Sequence, residues 1–400
     1  MDTRPVIENP SEQAALSVTF NHDASRFVVG LDSGFCSASS SSPITNLSIS
    51  VTYICLIVFL SNTCQIQTAR VFNAGLGLVQ MMGNANYLAL VGGGRSPKFP
   101  QNKAIIWDDS KGKIGLELAT LTAVRGVQIS KTRIAVVLQN SVRLYAFQKP
   151  PTPLAIYETT SNLLGLCCLT EKYLVFPGRT SGQVHVIQFE TGTVSIIPAH
   201  TSGLRALQLS SDGDLLATAS EKGTIIRIFS TSRGAKLAER RRGTESASIY
   251  SLRFSPSGNM LACTSDKGSL HIFDVPNPRN QLHTPPPVAS SGSPNAEARN
   301  KWGILSNIPF GPFADTYSFT SAPFEIGEEP LLPGPQNSSG ENTVLGTSRP
   351  VKGVIGWIDE STLIVVGAGQ DARWEKFVLR EGEGGRSVLV REGWKKYLGN

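Results

Sequence analysis

Apolar residues recur along this chain in short alternating runs, each followed by a polar turn, and the same phrase of pattern returns several times. Three segments align without gaps: "FNHDASRFVVGLDSG" (20–34), "LSSDGDLLATASEKG" (209–223) and "FSPSGNMLACTSDKG" (254–268). Each runs from an apolar residue through a polar turn to an apolar pair such as Leu215-Leu216, then a stretch of small residues, then a tight turn ending on glycine. Period-two alternation broken by such turns predicts strands. Gly223 and Gly268 lie 45 residues apart, the spacing of one four-stranded propeller blade.

Weaker copies fill the remaining chain. "NYLALVGGGRSPKFPQNKAIIWDD" ends on the WD-like dipeptide Trp107-Asp108, and "GVQISKTRIAVVLQNSVRLYAF", "LGLCCLTEKYLVFPGRTSGQVHVIQF" and "KGVIGWIDESTLIVVGAGQDARWEKFVL" keep the same rhythm. Together with the first three they give an all-β, seven-bladed WD40-like β-propeller occupying 1–400 as a single domain. In such a ring the N-terminal strand "ALSVTF" is expected to complete the last blade beside 351–381. Two insertions rich in Pro, Ser, Asn and Gly interrupt the pattern, within 276–313 and at 327–350, and are read as loops on the propeller rim. The stretch 36–65 is anomalous: a Ser-rich segment leads into "VTYICLIVFL" (51–60), whose ten residues fall well short of the roughly 20 that a membrane helix needs. It reads as a retained intron; if translated, it is expected to replace an outer strand of blade 1 and expose apolar surface.

Composition changes this picture little. The 400 residues are 40% hydrophobic and 17% charged, with a net charge of +6, which suits an anionic partner without naming one. The six cysteines form no C-x-x-C pair and no zinc spacing, fitting a reducing compartment. No Walker A, G-x-S-x-G or H-E-x-x-H motif is present. Gly92-Gly93-Gly94 lacks a nucleotide-binding context, and Asp108-Asp109 would point to opposite faces of a strand. The chain therefore reads as non-enzymatic, with no cofactor or metal.

One charge cluster stands out. Arg240, Arg241 and Arg242 are consecutive between two apolar segments, and like charges in a row are either solvated or matched by an anion. Hydroxyls and imidazoles recur on both sides. His200, Ser220, Thr224 and Arg227 precede the run; Ser265, Ser269 and His271 follow it, with Ser220/Thr224 and Ser265/Ser269 at matching places in consecutive repeats. Arginine forks, hydroxyls and backbone N–H groups are the parts of a phosphate cradle. Replacing Arg241 and Arg242 together by threonine is expected to abolish anion binding with the fold intact.

"RRG" at 241–243 within a seven-bladed WD-like chain resembles the PROPPIN family of polyphosphoinositide-binding propellers. "NYLALVGGG", "LQNSVRLYAF" and "LGLCCL" look like its WIPI branch of the third and fourth type, and the C-terminal "GWIDESTLIVVGAGQDARWEKFVL" looks like its filamentous-fungal members. The resemblance implies two sites for phosphatidylinositol 3-phosphate and 3,5-bisphosphate, one on each side of the arginine pair. The first would use His200, Ser220, Thr224, Arg227 and Arg241, and the second Arg242, Ser265, Ser269 and His271. It also implies a membrane-inserting loop in blade 6, here carrying Trp302, Ile304, Leu305, Ile308 and Phe310. A cytoplasmic, monomeric scaffold is expected, acting in autophagy and peripheral on phagophore, endosomal and vacuolar membranes. An autophagy-related lipid-transfer protein would dock near blades 2 and 3, and no nucleic acid would bind. The alternative is a WD-type protein scaffold without a lipid role. Arg240 departs from the family pattern, which has an inward-packing apolar residue there, so it is expected to point to solvent or distort its strand.

Overall fold

The computed structural model describes residues 14–36, 53–94, 96–276, 316–327, 352–382 and 385–398. These form seven sheets in chain order, at 15–71, 76–119, 126–158, 168–198, 204–241, 249–323 and 354–396, antiparallel except where Thr316–Tyr317 adds parallel to the fifth. Among the described residues there is no α-helix. The sheets are the blades of an all-β, seven-bladed propeller.

The sequence dictates the packing between blades. Second strands such as Leu215–Ser220 and Tyr173–Pro177 are buried at every position, because each blade is covered on both faces by its neighbours. The core accordingly lies between blades. Ala217, Ala219, Ile226 and Ile228 of blade 5 meet Leu252, Phe254, Cys263 and Phe273 of blade 6. The turn glycine of the repeat is required sterically at Gly223: φ is +61°, and a Cβ there would sit 1.8 Å from the Ala247 carbonyl.

Two expectations are corrected. Ala15–Phe20 does not complete the last blade; it is the innermost strand of blade 1, paired with Arg26–Cys36. Blade 7 needs no visitor, because Ser387–Lys396 supplies its fourth strand. The ring closes instead through a bridge between Ala15 and Gly369, with N···O distances of 2.9 and 2.8 Å. Nor does the apolar run after the Ser-rich stretch expose its surface. Tyr53–Leu60 is the third strand of blade 1, between Arg26–Cys36 and Gln65–Val71, and residues 55–59 are buried. Ile57 and Phe59 enter the core shared with blade 7, whereas Cys55, Leu56 and Val58 enter the core shared with blade 2. Residues 37–52, which carry most of the Ser-rich stretch, lie outside the described residues, as do 277–315 and 328–351.

Candidate anion site on blades 5 and 6

The arginine run closes the outer strand of blade 5, Lys236–Arg241. Pairing continues one residue further, where the Arg242 N–H donates to the Thr224 carbonyl at 2.9 Å. Successive strand residues point to opposite faces. Arg241 and Glu239 therefore share one face of the blade, and Arg240 and Arg242 share the other.

On the first face the register sets Thr218, Arg227 and Glu239 in one row across three strands, and Ile225 beside Arg241 in the next. Ser220, two residues beyond Thr218 and buried, belongs to the same face. The half-buried Arg227 guanidinium donates from Nε to Glu239 Oε2 at 2.8 Å and from Nη1 to the Ala199 carbonyl at 2.6 Å. His200, on the connection from blade 4, is placed by its N–H on the Gly182 carbonyl at 2.9 Å, and its Nε2 lies 3.0 Å from Thr218 Oγ1. Burial, reinforced by the Arg227 charge, pushes the His200 pKa down to about 4, so the ring is neutral at pH 7. Burial works against the Glu239 carboxylate, but hydrogen bonds from Arg227 and then Lys236 outweigh it and hold its pKa below the usual value. The structure thus brings His200, Ser220, Arg227 and Arg241 to one face. Thr224 lies apart from them, in the turn before Ile225–Ser230.

The second group sits at the boundary with blade 6. Ser265 Oγ is 3.4 Å from Ser269 Oγ, which is 3.0 Å from His271 Nε2; His271 Nδ1 is 3.1 Å from Ser318 Oγ. Burial, and next the nearby Arg242 charge, push the His271 pKa down to about 4. Arg242 itself is only 8% exposed. Its Nε donates to the Gly223 carbonyl at 2.8 Å, and its Nη2 donates to the Glu245 carbonyl. Arg242 is therefore also a structural clamp, holding the connection between blades 5 and 6 against the turn of blade 5. Ser246 and Ala247 fasten the same connection to the Lys222 carbonyl at 2.9 and 3.1 Å.

Two sequence expectations change here. Thr224 and Ser269 do not occupy matching places. Thr218 pairs with Arg227 and Cys263 with His271, so in the ladders Ser269 matches Ile225 and His271 matches Arg227. The turn of blade 5 is one residue longer, which a gapless alignment hides. Arg240 does not distort its strand and lies part-exposed at the rim. Its register with Ile226 is regular, and its Nε donates to the Asp274 carbonyl of blade 6 at 2.8 Å. Thr218, Glu239 and Ser318 were not signalled as site residues. Alternation from Ser220 and Arg241 points to the first two, whereas nothing near the arginines points to Ser318. Trp302, Ile304, Leu305, Ile308 and Phe310 lie outside the described residues.

Comparison with known proteins bears on the family and the fold. Residues 105–293 match the family model described as PROPPIN. SVP1-like protein 2 of Emericella nidulans is 56% identical over 322 residues, spanning 80% of this chain and 99% of that protein. SVP1-like protein 2 of Neurospora crassa is 44% identical over 450 residues, spanning 100% and 99%. Among solved structures, Kluyveromyces lactis Hsv2 with complete loop 6CD is similar in fold, with a TM-score of 0.70 at 21% identity, covering 96% of this chain and 99% of that one. The complex of KlAtg21 with the coiled coil of AgAtg16 gives a TM-score of 0.61 at 16% identity, covering 96% and 99%. No helix among the described residues is long and apolar enough to cross a membrane.

Proposed function

The chain belongs to the PROPPIN family, and from that premise we propose that it is a non-enzymatic, peripheral membrane propeller binding phosphatidylinositol 3-phosphate and 3,5-bisphosphate, and a scaffold in autophagy. The observation that carries this reading is the alternation at the end of Lys236–Arg241. Two adjacent arginines leave on opposite faces, and each face carries a histidine with hydroxyl neighbours: His200, Thr218 and Ser220 on the face of Arg241, and His271 with the Ser265–Ser269 pair on that of Arg242. Two phosphorylated headgroups could be held on one rim of one molecule, and two weak contacts on one membrane act as a strong one through effective concentration.

In the first site Arg241 and Arg227 supply the cationic forks and Ser220 and neutral His200 the flanking donors, while Thr224 stands outside it in the turn before Ile225–Ser230. In the second, Ser265, Ser269 and His271 surround the phosphate, with Arg242 supplying the field and its Nη1. Each hydrogen bond to a phosphate oxygen contributes about 1.5–3 kcal/mol before desolvation is subtracted. The loop of blade 6 that carries Trp302, Ile304, Leu305, Ile308 and Phe310 would add apolar contact with the bilayer. The stems of this loop, Asp274 on one side and Thr316 on the other, meet at Arg240. The structure of KlAtg21 with an AgAtg16 coiled coil supports reading this propeller as a scaffold for protein partners too, with an autophagy-related lipid-transfer protein near blades 2 and 3 and sites of action on phagophore, endosomal and vacuolar membranes.

Flotation with vesicles across a phosphoinositide panel tests the reading. Co-flotation with 3-phosphorylated lipids but not with phosphatidylinositol or phosphatidylserine is expected. Equal flotation with every anionic vesicle, or with none, refutes it, and the latter leaves a protein scaffold.

A further inference from the structure

The segment that leads into the outer strand of blade 6 first adds to blade 5. Thr316–Tyr317 lies parallel to the end of Lys236–Arg241, pairing Thr316 with Arg240 and Tyr317 with Arg241, and so gives blade 5 a fifth strand. Residues paired in register project to the same face of a sheet. Tyr317 therefore extends the row of Ile225 and Arg241, on the face that carries Arg227, Glu239 and Ser220. It is 52% exposed, although it stands directly beside the strand that carries the arginines. The next residue turns the other way: Ser318 Oγ is 3.1 Å from His271 Nδ1, in the second group. The chain then joins blade 6, with Phe319 N–H on the Ile272 carbonyl at 3.0 Å and Thr320–Pro323 as its outer strand.

Tyr317-Ser318 thus repeats the arrangement of Arg241-Arg242, two adjacent residues delivered to opposite sites. We infer that Tyr317 is a further recognition residue of the first site, its hydroxyl donating to a phosphate monoester held by Arg241. A phenol suits a phosphorylated cyclitol, because its hydroxyl donates to an anionic oxygen while its ring covers the C–H face. The first site is then assembled from three parts of the chain: the connection after blade 4 (His200), blade 5 itself, and the segment entering the last strand of blade 6. This inference rests on the headgroup reading above, and its ligand chemistry is a phosphate monoester on a cyclitol.

The test uses the full chain in two backgrounds, His271→Ala to silence the second site and Arg241→Thr to silence the first. Tyr317→Phe is made in each, and binding of soluble inositol 1,3-bisphosphate is measured by titration calorimetry, with inorganic phosphate as a separate arm. Removing a hydrogen bond to an anion is expected to weaken bisphosphate binding about tenfold in the His271→Ala background, and to change nothing in the Arg241→Thr background. Tyr317→Ala should show the same asymmetry. Unchanged affinity in both backgrounds overturns the inference, and so does an equal loss in both, which would make Tyr317 a general support of the added strand. Inorganic phosphate bound as tightly as the bisphosphate, with the same loss on Tyr317→Phe, overturns the cyclitol part. If the unmodified protein binds no bisphosphate, the headgroup reading itself fails; if it binds and only the Tyr317 asymmetry is absent, that reading stands without Tyr317.

Discussion

Arg241 and Arg242 are chemically identical neighbours, yet their replacement should have different consequences. Arg242 is 8% exposed, and its guanidinium serves the carbonyls of Gly223 and Glu245. Arg242→Thr removes both donors and leaves the buried Gly223 carbonyl and the partly covered Glu245 carbonyl without them. Hydrogen bonds from a charged donor are worth about 1.5–3 kcal/mol each, so the loss is roughly 3–6 kcal/mol, less whatever water entering the space restores. In a propeller of this size that lowers Tm by roughly 4–7 °C. Arg241 lies at a strand end and is half-buried, so Arg241→Thr should cost less than about 1 kcal/mol. The sequence-based expectation of an intact fold is thereby narrowed to Arg241. Arg242→Lys should fall between, since an ammonium cannot reproduce a planar fork across two carbonyls. Thermal unfolding of the three variants gives the stability order. Calorimetric titration with inositol 1,3-bisphosphate, well below the lowest Tm, gives the binding order and keeps lost affinity apart from lost fold. Each single variant should keep one site of two. If Arg242→Thr unfolds at the parent temperature, Arg242 does not clamp the connection; if both variants also keep two sites, the arginine run is only a charged turn.

Four further outcomes follow from the same geometry. His200 and His271 are each held at about 4 against an ordinary value of 6.5, so below pH 6.5 the unfolded chain binds more protons than the folded one. The stability this represents is complete above pH 6.5 and lost as pH falls toward 4, at most about 3 kcal/mol per histidine. A bound phosphate favours the protonated rings, so binding near pH 6 should take up more protons than the second ionisation of the phosphate itself accounts for, read by calorimetry in buffers of different ionisation enthalpy, while Tm of the free protein falls as pH is lowered. Glu239 occupies Arg227 and would repel an incoming phosphate; Glu239→Gln should strengthen binding at the first site about three- to fivefold, and weaker binding would contradict the assignment of Arg227. Phe59 is 1% exposed, stacked on Phe27 at 4.8 Å and edge-on to Tyr397 at 5.3 Å, so Phe59→Ala should cost about 3–5 kcal/mol by denaturant unfolding, and no cost would mean that Tyr53–Leu60 is not part of the folded propeller. Replacing Trp302, Ile304, Leu305 and Ile308 by serine should lower vesicle binding while soluble bisphosphate affinity holds, and loss of both would refute an anchoring role for this loop.

The fold was legible because the blade repeat is written twice, in alternation and in turn chemistry. The second strands and their closing glycines recur at matching places, and Gly223 shows why: no other residue fits against the Ala247 carbonyl. The run at 53–60 misled for a physical reason. Third strands elsewhere keep some polar or half-exposed positions, as in Gln183–Gln188 and Ile225–Ser230. In blade 1 the third strand feeds two cores at once, with Ile57 and Phe59 toward blade 7 and Leu56 and Val58 toward blade 2. Its alternation is therefore between two apolar faces, which a reading of polar against apolar cannot see. The N-terminal strand misled differently. The pattern predicts that Ala15–Phe20 is a strand, but which blade it joins depends on whether blade 7 already owns four, and that is settled by Ser387–Lys396.

The site shows how far a strand rule reaches. Once Lys236–Arg241 is known to be a strand, alternation alone sends Arg241 and Arg242 to opposite faces, and the hydroxyls two residues apart on Leu215–Ser220 follow. What alternation cannot supply is the register between strands. The extra residue in the turn of blade 5 shifts Thr224 out of the place that Ser269 holds in blade 6, so a repeat aligned without gaps assigned a turn residue to a strand position. Nor can alternation say what a cation does when no ligand is present. Arg242 and Arg227 both carry protein partners, carbonyls for one and Glu239 with the Ala199 carbonyl for the other. Those partners keep the forks aimed where a phosphate would arrive. In Arg227 the carboxylate of Glu239 holds the Nε donor, so under the proposed reading phosphate binding there would be an exchange of one acceptor for another. On the proposed reading the net gain is then smaller than a count of new hydrogen bonds suggests, so each site by itself would be weak and membrane affinity would come from pairing two sites on one rim.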